Sequence, residues 1–247
     1  MFDIINRFLS VVYPNRCICC KKLITSKYLC DDCNEKLRPI EVLTCKKCGL
    51  PVKHCCCNRY FYYFDEVYSV FENADCAKQI MYNLKFDSYK RASVFFADCI
   101  ANRLRENNIL SKTDYICAVP MHHKNQRLRG YNQAEIIAKL LSRQLDIPFK
   151  RLLSQPKQTK LQHNSKDVSE RFENARGKYK FLSREIIKDK NILVIDDIKT
   201  TGATLSECSK ILKFSGAGKV YAATALITYP KAKNKTDADQ KDKRPEF

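Results

Sequence analysis

The spacing of the cysteines constrains this chain more than any other feature of its sequence. The chain has 247 residues and fourteen cysteines, most of which fall between Cys17 and Cys57. Several occur in pairs with two intervening residues, which lets both sulfur atoms of one turn reach the same tetrahedral ion. Disulfides rarely suit so short a gap. The pattern therefore predicts bound metal and a reducing, cytoplasmic location.

Two groups of four thiolates are expected, each holding one zinc ion. The predicted ligands of the first ion are Cys17, Cys20, Cys30 and Cys33. The predicted ligands of the second ion are Cys45, Cys48, Cys55 and Cys57. Four thiolates leave no coordination position open, so both ions are expected to be structural.

The last two ligands of the second zinc ion can be chosen in more than one way. Only two of the residues His54, Cys55, Cys56 and Cys57 are needed to complete the foursome. Cys55 with Cys57 is favoured, and His54 with Cys57 is the alternative because it restores a two-residue gap. Cys19 lies inside the first turn and is not expected to bind the metal.

Composition divides the chain into four segments. Residues 1–14 are apolar at helical spacing and predict an amphipathic helix rather than a signal peptide. Residues 15–60 are too poor in apolar residues to fold without metal, which indicates a double zinc ribbon. Residues 61–230 form one predicted α/β domain, and residues 231–247 are charged without an apolar period, which predicts disorder. No stretch is apolar for long enough to span a membrane.

The segment from 61 to 230 alternates strand-like and helix-like patterns. Four segments are typical of strands: Val67–Phe71, residues 114–120, Ile192–Ile195 and residues 219–227. The segments between them include stretches with apolar residues at three- and four-residue spacing, which is typical of helices. This alternation predicts a parallel sheet with helices on both faces. A basic loop is expected after Pro120, and residues 154–178 show no clear core face.

The stretch "VIDDIKTTGATL" combines two features that favour different ligand groups. A strand ends in two carboxylates, Asp196 and Asp197, and a turn rich in Thr and Gly then opens a helix. The carboxyl end of a parallel strand is where such folds bind ligands, and a helix N-terminus favours phosphate. A ribose diol on the carboxylates with a 5′-phosphate in the turn satisfies both. The spacing is neither that of a Walker loop nor that of a dinucleotide-binding G-x-G-x-x-G.

The net charge of +18 favours a polyanionic partner, since phosphates attract Lys and Arg regardless of sequence. A Lys-rich surface used only for solubility explains the charge equally well. The aromatic run "RYFYYF" at residues 59–64 is likewise open to two interpretations. It suits the stacking of bases in a single strand, and it suits a core at the junction of the two modules, which is the favoured reading.

Two motifs together resemble the ComF family of competence-associated phosphoribosyltransferase-like proteins, whose relatives include the GntX group. "VIDDIKTTGATL" resembles the phosphoribosyl-pyrophosphate motif of type I phosphoribosyltransferases, and "VPMHHKNQRLRGYNQAEIIAKLL" resembles a segment that marks the ComF branch. The branch also has a polar segment, matched here by Thr159, Gln162, Arg171, Asn174 and Gly177. Lys157 stands where the branch has Arg, which removes a bidentate phosphate contact there.

The resemblance implies a role for each motif residue. Asp196 and Asp197 would hold the ribose hydroxyls, with a magnesium ion, and would be the catalytic pair. Arg127 and Arg129 would neutralise the pyrophosphate, and residues 159–177 would form a hood over the site. The residues that would hold the 5′-phosphate are Thr200, Thr201, Gly202, Ala203 and Thr204.

The implied function is binding of phosphoribosyl pyrophosphate in the uptake or handling of single-stranded DNA, together with DNA-uptake or recombination proteins. As an enzyme, the protein would be a phosphoribosyltransferase that releases pyrophosphate. Two alternatives stay open from the sequence: a nucleobase-salvage phosphoribosyltransferase, and a zinc-ribbon protein that binds nucleic acid without catalysis.

Overall fold

The computed structural model describes residues 15–40, 43–55, 57, 61–86, 90–156, 168–182 and 187–229. The predicted N-terminal helix and the predicted charged tail lie outside these residues. The strands are β1 (Glu66–Glu72), β2 (Tyr115–Ala118), β3 (Leu153–Ser154), β4 (Lys180–Phe181), β5 (Ile192–Lys199) and β6 (Val220–Ile227). The helices are α1 (Asp31–Glu35), α2 (Asp75–Phe86), α3 (Lys90–Glu106), α4 (His123–Arg129), α5 (Gln133–Leu145), α6 (Val168–Ala175) and α7 (Ala203–Phe214).

The main sheet of the described residues has the strand order β1-β6-β5-β2, and every neighbouring pair is parallel. Strand β6 is buried along its whole length, as expected for a central parallel strand covered on both faces. Ala118 of β2 lies opposite Ile195 of β5, so the carboxyl ends of these two strands meet at one edge. Strands β3 and β4 form a separate antiparallel pair.

Apolar residues pack on both faces of the sheet, which confirms the predicted fold class. On one face, α2, α3 and α5 cover residues such as Tyr68, Ile116 and Leu193. On the other face, α7 covers Val194 and Ala222. No helix in the part of the chain that the structure describes is long and apolar enough to cross a membrane.

The two cysteine modules lie on opposite faces of the sheet. Cys17 and Ile18 of the first module join the core under α2 and α3, whereas Cys48 and Leu50 of the second join the core under α7. The connection between them runs along the outer edge of β1, where the Ile40 N–H donates to the Val70 carbonyl at 2.8 Å and the Glu72 N–H donates to the Arg38 carbonyl at 2.9 Å. This pairing covers an edge strand that would otherwise expose its backbone.

Two sequence expectations were wrong. The segment expected to be a basic loop contains helix α4, because the His122 side chain accepts a hydrogen bond from the Lys124 N–H and Gly130 ends the helix in the left-handed conformation. The polar stretch from 154 to 178 contains helix α6, in which Ala175 is buried and Phe172 packs against the α7 face. Helices of only seven or eight residues make about two turns, so they leave little periodic signal.

The first cysteine module is held to helix α2 by a buried amide. The Asn83 side chain donates to the carbonyls of Ile18 (2.9 Å) and Cys19 (3.1 Å), and it accepts from Gln79 at 2.9 Å. Because Asn83 is only 4% exposed, water does not replace these bonds easily when they are lost.

We predict that Asn83→Ala lowers the free energy of unfolding by roughly 1–3 kcal/mol, the cost of leaving buried polar groups unsatisfied. Denaturant unfolding followed by circular dichroism measures the change. The matched control is Asn102→Ala on the exposed side of α3, which we expect to stay within about 0.5 kcal/mol of the parent. Equal stability of the two variants would contradict the prediction.

Candidate functional site

The first group of predicted metal ligands comes together in the fold. The sulfur atoms of Cys17, Cys20, Cys30 and Cys33 all lie within 4.8 Å of one another. The Cys20 and Cys30 sulfurs are 3.7 Å apart. Four sulfurs around zinc at 2.3 Å are separated by about 3.8 Å, so this group fits a tetrahedral zinc ion.

The second group is assembled from the four cysteines that the sequence favours. The sulfur atoms of Cys45, Cys48, Cys55 and Cys57 also lie within 4.8 Å of one another. Measured pairs are Cys45 to Cys57 at 3.2 Å and Cys48 to Cys55 at 3.8 Å. The His54 ring packs instead against Tyr229, with 5.3 Å between the ring centroids. Cys56 lies outside the described residues.

Backbone amides favour the thiolate form of one cysteine in each group, whereas burial and neighbouring thiols raise the pKa of Cys33 and Cys57. Burial on its own would raise the pKa of the Cys17 thiol, yet hydrogen bonds from the backbone of Cys20, Cys30 and Cys19 lower it to about 6. Burial is likewise outweighed at Cys45, where hydrogen bonds from neighbouring backbone and thiol groups lower the pKa to about 7. Each turn therefore places amide groups where a metal-bound sulfur would accept them.

Cys19, the cysteine not expected to bind the first ion, lies between the first cysteine group and helix α2. Its sulfur lies within 4.8 Å of the sulfurs of both Cys33 and Cys76, and it is 3.9 Å from the Cys76 carbonyl oxygen. Cys19 thus takes part in the contact between the module and the helix.

The carboxylate pair lies on β5 at the edge where the sheet meets the loop after β2. The structure extends β5 through Lys199, so Asp196 and Asp197 belong to the strand itself, and both are partly exposed. The Asp196 Oδ1 accepts from the Asp197 N–H at 2.8 Å, and the Asp197 Oδ1 accepts from the Ile198 N–H at 2.7 Å. These bonds fix both carboxylates beside the backbone.

The turn between β5 and α7, residues 200–204, brings a helix N-terminus to the same edge. Gly202 adopts a φ of +83°, and α7 begins at the next residue without a side-chain cap. The Thr201 hydroxyl accepts from the Ala203 N–H at 3.3 Å. Because the first N–H groups of a helix have no partner within it, this turn presents donors to an anion.

Tyr62, which lies at the junction between the two modules, packs against this turn and hydrogen-bonds to it. Its hydroxyl donates to the Thr201 carbonyl at 3.1 Å. A Cβ atom placed on Gly202 would lie 3.0 Å from the Tyr62 ring, so the glycine is required by this close approach as well as by its φ angle. The Tyr62 ring also stacks on Phe64 and contacts Phe172 of α6.

Lys199 is a second residue of the site that the sequence analysis missed. It is only 3% exposed, and its Nζ lies 5.5 Å from the centroid of the Tyr62 ring. Its position at the end of an apolar strand, directly before the Thr- and Gly-rich turn, is the sequence signal that would have identified it. The sequence identified Tyr62 only as a member of an aromatic run, and burial alternates along residues 61–64 of that run.

The two arginines predicted to bind pyrophosphate lie beside this edge on α4. Arg127 and Arg129 are in the last turn of the helix, and both are exposed. The preceding loop is fixed because the buried Asn132 side chain donates to the Val119 carbonyl at 2.9 Å and the Val119 N–H donates to Ile195 on β5 at 2.9 Å. The loop that precedes α4 is thus held to the sheet, and the two arginine side chains at the end of α4 are exposed to solvent.

The predicted hood is described in part. Arg171 and Asn174 lie on α6, whereas Thr159 and Gln162 fall outside the described residues. The Gly177 N–H donates to Glu207 of α7 at 2.9 Å, which holds the segment next to the turn. Burial raises the pKa of the Tyr179 hydroxyl.

Two family models match separate parts of this chain. Residues 8–61 match the family model "Double zinc ribbon domain", and residues 132–245 match "Phosphoribosyl transferase domain". A solved purine phosphoribosyltransferase from Pyrococcus horikoshii aligns with 53% of this chain and 70% of its own chain, at 22% identity and a TM-score of 0.34.

Curated relatives match nearly the whole chain. Competence protein F of Haemophilus influenzae is 27% identical, with 83% of this chain and 93% of the relative covered. DNA utilization protein YhgH of Escherichia coli is 24% identical over 84% and 94% of the two chains, and competence protein ComFC of Bacillus subtilis is 25% identical over 81% and 83%. The chain is therefore a homologue of competence protein F, YhgH and ComFC, and it joins a double zinc ribbon domain to a phosphoribosyl transferase domain.

Proposed function

We propose that this protein binds phosphoribosyl pyrophosphate, or a related ribose 5-phosphate, with Mg²⁺ at the edge formed by β2 and β5, and that it acts in the cytoplasm in the handling of single-stranded DNA. The observation that carries the proposal is the adjacency of a carboxylate pair and a helix N-terminus preceded by Gly202, which has no side chain to cap it, on one strand-turn-helix unit. A sugar phosphate is a ligand whose two ends need these two environments.

The carboxylates and the turn bind different parts of the ligand. Asp196 and Asp197 accept hydrogen bonds from vicinal ribose hydroxyls, which are donors. The amides of the turn from 200 to 204 donate to the 5′-phosphate, and the hydroxyls of Thr200 and Thr204 add further donors. The negative charge of the phosphate is thereby kept several residues away from the carboxylates.

Magnesium fits the same edge because it prefers carboxylate oxygens together with substrate phosphates. Asp196 and Asp197 would hold it, and it would neutralise charge on the pyrophosphate when bound. Arg127 and Arg129 are the positively charged groups that complete this neutralisation. Glu135 would be a weak general base, since Lys139 and Arg151 contact its carboxylate and keep its pKa below the ordinary value despite burial.

The role in DNA handling rests on different support. The relatives that cover most of this chain are named for competence and for DNA utilization. The net charge of +18 is of the sign that a nucleic acid attracts. Zinc would stabilise residues 15–60, which carry part of this charge.

We predict that changing both Asp196→Asn and Asp197→Asn lowers the affinity for phosphoribosyl pyrophosphate more than about 100-fold. Each lost hydrogen bond to a charged group costs about 1.5–3 kcal/mol, while the amide oxygens still accept the neighbouring N–H groups. Isothermal titration calorimetry in the presence of Mg²⁺ measures the affinity, and thermal unfolding is the control for folding. An unchanged affinity in the folded variant would place the ligand elsewhere. Pyrophosphate release with an added nucleobase separates turnover from binding alone.

We predict that Tyr62→Phe weakens binding of the same ligand by about 5-fold. The variant loses only the hydroxyl that donates to the Thr201 carbonyl, a bond worth about 1 kcal/mol, and the ring that packs under Gly202 remains. Tyr63→Phe removes the neighbouring hydroxyl and serves as the matched control, with affinity unchanged. The support role of Tyr62 is refuted if both variants bind as the parent does.

We predict about two zinc ions per chain by mass spectrometry of the native protein or by elemental analysis. Cys55→Ser and Cys57→Ser each reduce the content to about one ion, because a hydroxyl is a poor replacement for a thiolate ligand. Cys56→Ser, one residue from both, is the matched control and retains two ions. Loss of an ion in His54→Ala, with none lost in Cys55→Ser, would instead select the alternative ligand pair.

A further inference from the structure

Three aromatic side chains and a lysine form an exposed group that the ligand site does not use. Phe61, Tyr63, Phe214 and Lys210 are here called the aromatic surface. Phe61 is 75% exposed and Phe214 is 77% exposed. Large apolar side chains at such exposure have a cost in water, so a group of them marks a contact site more often than a single one does.

The surface is built from two segments of the chain. Burial alternates along residues 61–64: Tyr62 and Phe64 are buried in the core, whereas Phe61 is exposed and Tyr63 is partly exposed. The Tyr63 N–H donates to the Ser206 hydroxyl on α7 at 3.2 Å, which fixes this segment against the helix. One helical turn apart on α7, Lys210 and Phe214 complete the group.

The rings form a continuous set. Phe61 and Tyr63 meet edge to face with 5.1 Å between centroids, and Tyr63 and Phe214 are 6.3 Å apart. The Lys210 Nζ lies 5.5 Å from the Tyr63 centroid and 6.0 Å from the Phe214 centroid. A positive charge is therefore positioned among aromatic rings that solvent reaches.

This combination fits a single-stranded nucleic acid better than it fits a protein. Unpaired bases stack on aromatic rings, each contributing about 1–3 kcal/mol, and the adjacent phosphates pair with lysine. A duplex hides the faces of its bases, whereas an apolar protein partner would have to desolvate the lysine. The overall charge of +18 attracts the phosphate backbone to this chain as a whole.

We propose that the aromatic surface is where this protein binds single-stranded nucleic acid, with bases stacked on Phe61 and Phe214 and a phosphate on Lys210. The proposal rests on the DNA-handling part of the proposed function and assigns it a location. The strand lies along the outer side of α7, and the sugar-phosphate ligand lies at the edge where α7 begins. The two sites are therefore distinct.

Binding of a labelled twelve-residue oligothymidylate, measured by fluorescence anisotropy at low salt, tests the location. We expect Phe61→Ala combined with Phe214→Ala to weaken binding at least about 10-fold. Tyr82→Ala removes an exposed aromatic on α2 and serves as the matched control, with binding unchanged. Lys210→Gln is expected to reduce the slope of log affinity against log salt by about 0.7.

A tryptophan reporter distinguishes stacking from attraction by charge alone. The chain contains no tryptophan, so Phe214→Trp provides a single tryptophan, which is excited selectively at a wavelength that its tyrosines do not absorb. We expect oligothymidylate to quench its fluorescence and inorganic polyphosphate to leave it unchanged. Equal quenching by both polyanions, or none by the oligonucleotide, would overturn the stacking arrangement.

The outcomes separate this inference from the function on which it rests. If the parent protein does not bind the oligonucleotide at low salt, the DNA-handling function fails. If the parent binds and the double alanine variant binds equally well, the function stands and the location is wrong. If that variant instead loses only self-association in sedimentation, the surface contacts a second copy of the chain and the proposal is overturned. Thermal unfolding and affinity for phosphoribosyl pyrophosphate verify that the variant is folded.

Discussion

The pairing of residues 38–40 with the outer edge of β1 determines how the two parts of this protein are joined. Two backbone hydrogen bonds, from Ile40 to Val70 and from Glu72 to Arg38, add the linker to the sheet as an antiparallel segment. A third bond, from the Val67 N–H to the Lys46 carbonyl at 2.8 Å, continues the contact into the second ribbon. Because the linker follows the edge, one cysteine module falls on each face of the sheet.

This position makes the ribbons part of the core of the larger domain. Ile18 and Leu29 are buried with the helices of one face, and Ile40 and Leu50 are buried with Tyr62, Phe64 and α7 on the other. Zinc that stabilises the second ribbon therefore also stabilises the packing around Tyr62. Through the hydrogen bond from Tyr62 to the Thr201 carbonyl, that packing extends to the turn at the candidate ligand site.

The sequence predicted what depends on local pattern. The cysteine pairs, the strand that carries Asp196 and Asp197, and the helix after Gly202 each have a spacing that one segment specifies on its own. Helix α4 was missed because its ends depend on His122 and Gly130 rather than on an apolar period. Tyr62 and Lys199 were missed because their role depends on contacts between residues far apart in sequence, which no single segment encodes.

Residues 61–64 contribute side chains both to the candidate ligand site and to the aromatic surface, and this limits how the two surfaces affect each other. Tyr62 contacts the turn of the ligand site, and Phe61 and Tyr63 belong to the aromatic surface. A ligand can influence a bound strand only if it binds two arrangements of the shared segment with different affinity. Tyr62 is packed against Phe64 and Phe172, and the Tyr63 backbone is tied to Ser206, so the segment has little room for a second arrangement. If both proposed sites bind their ligands, these contacts favour independent occupation, and any coupling between them would have to pass through the Tyr62 hydroxyl.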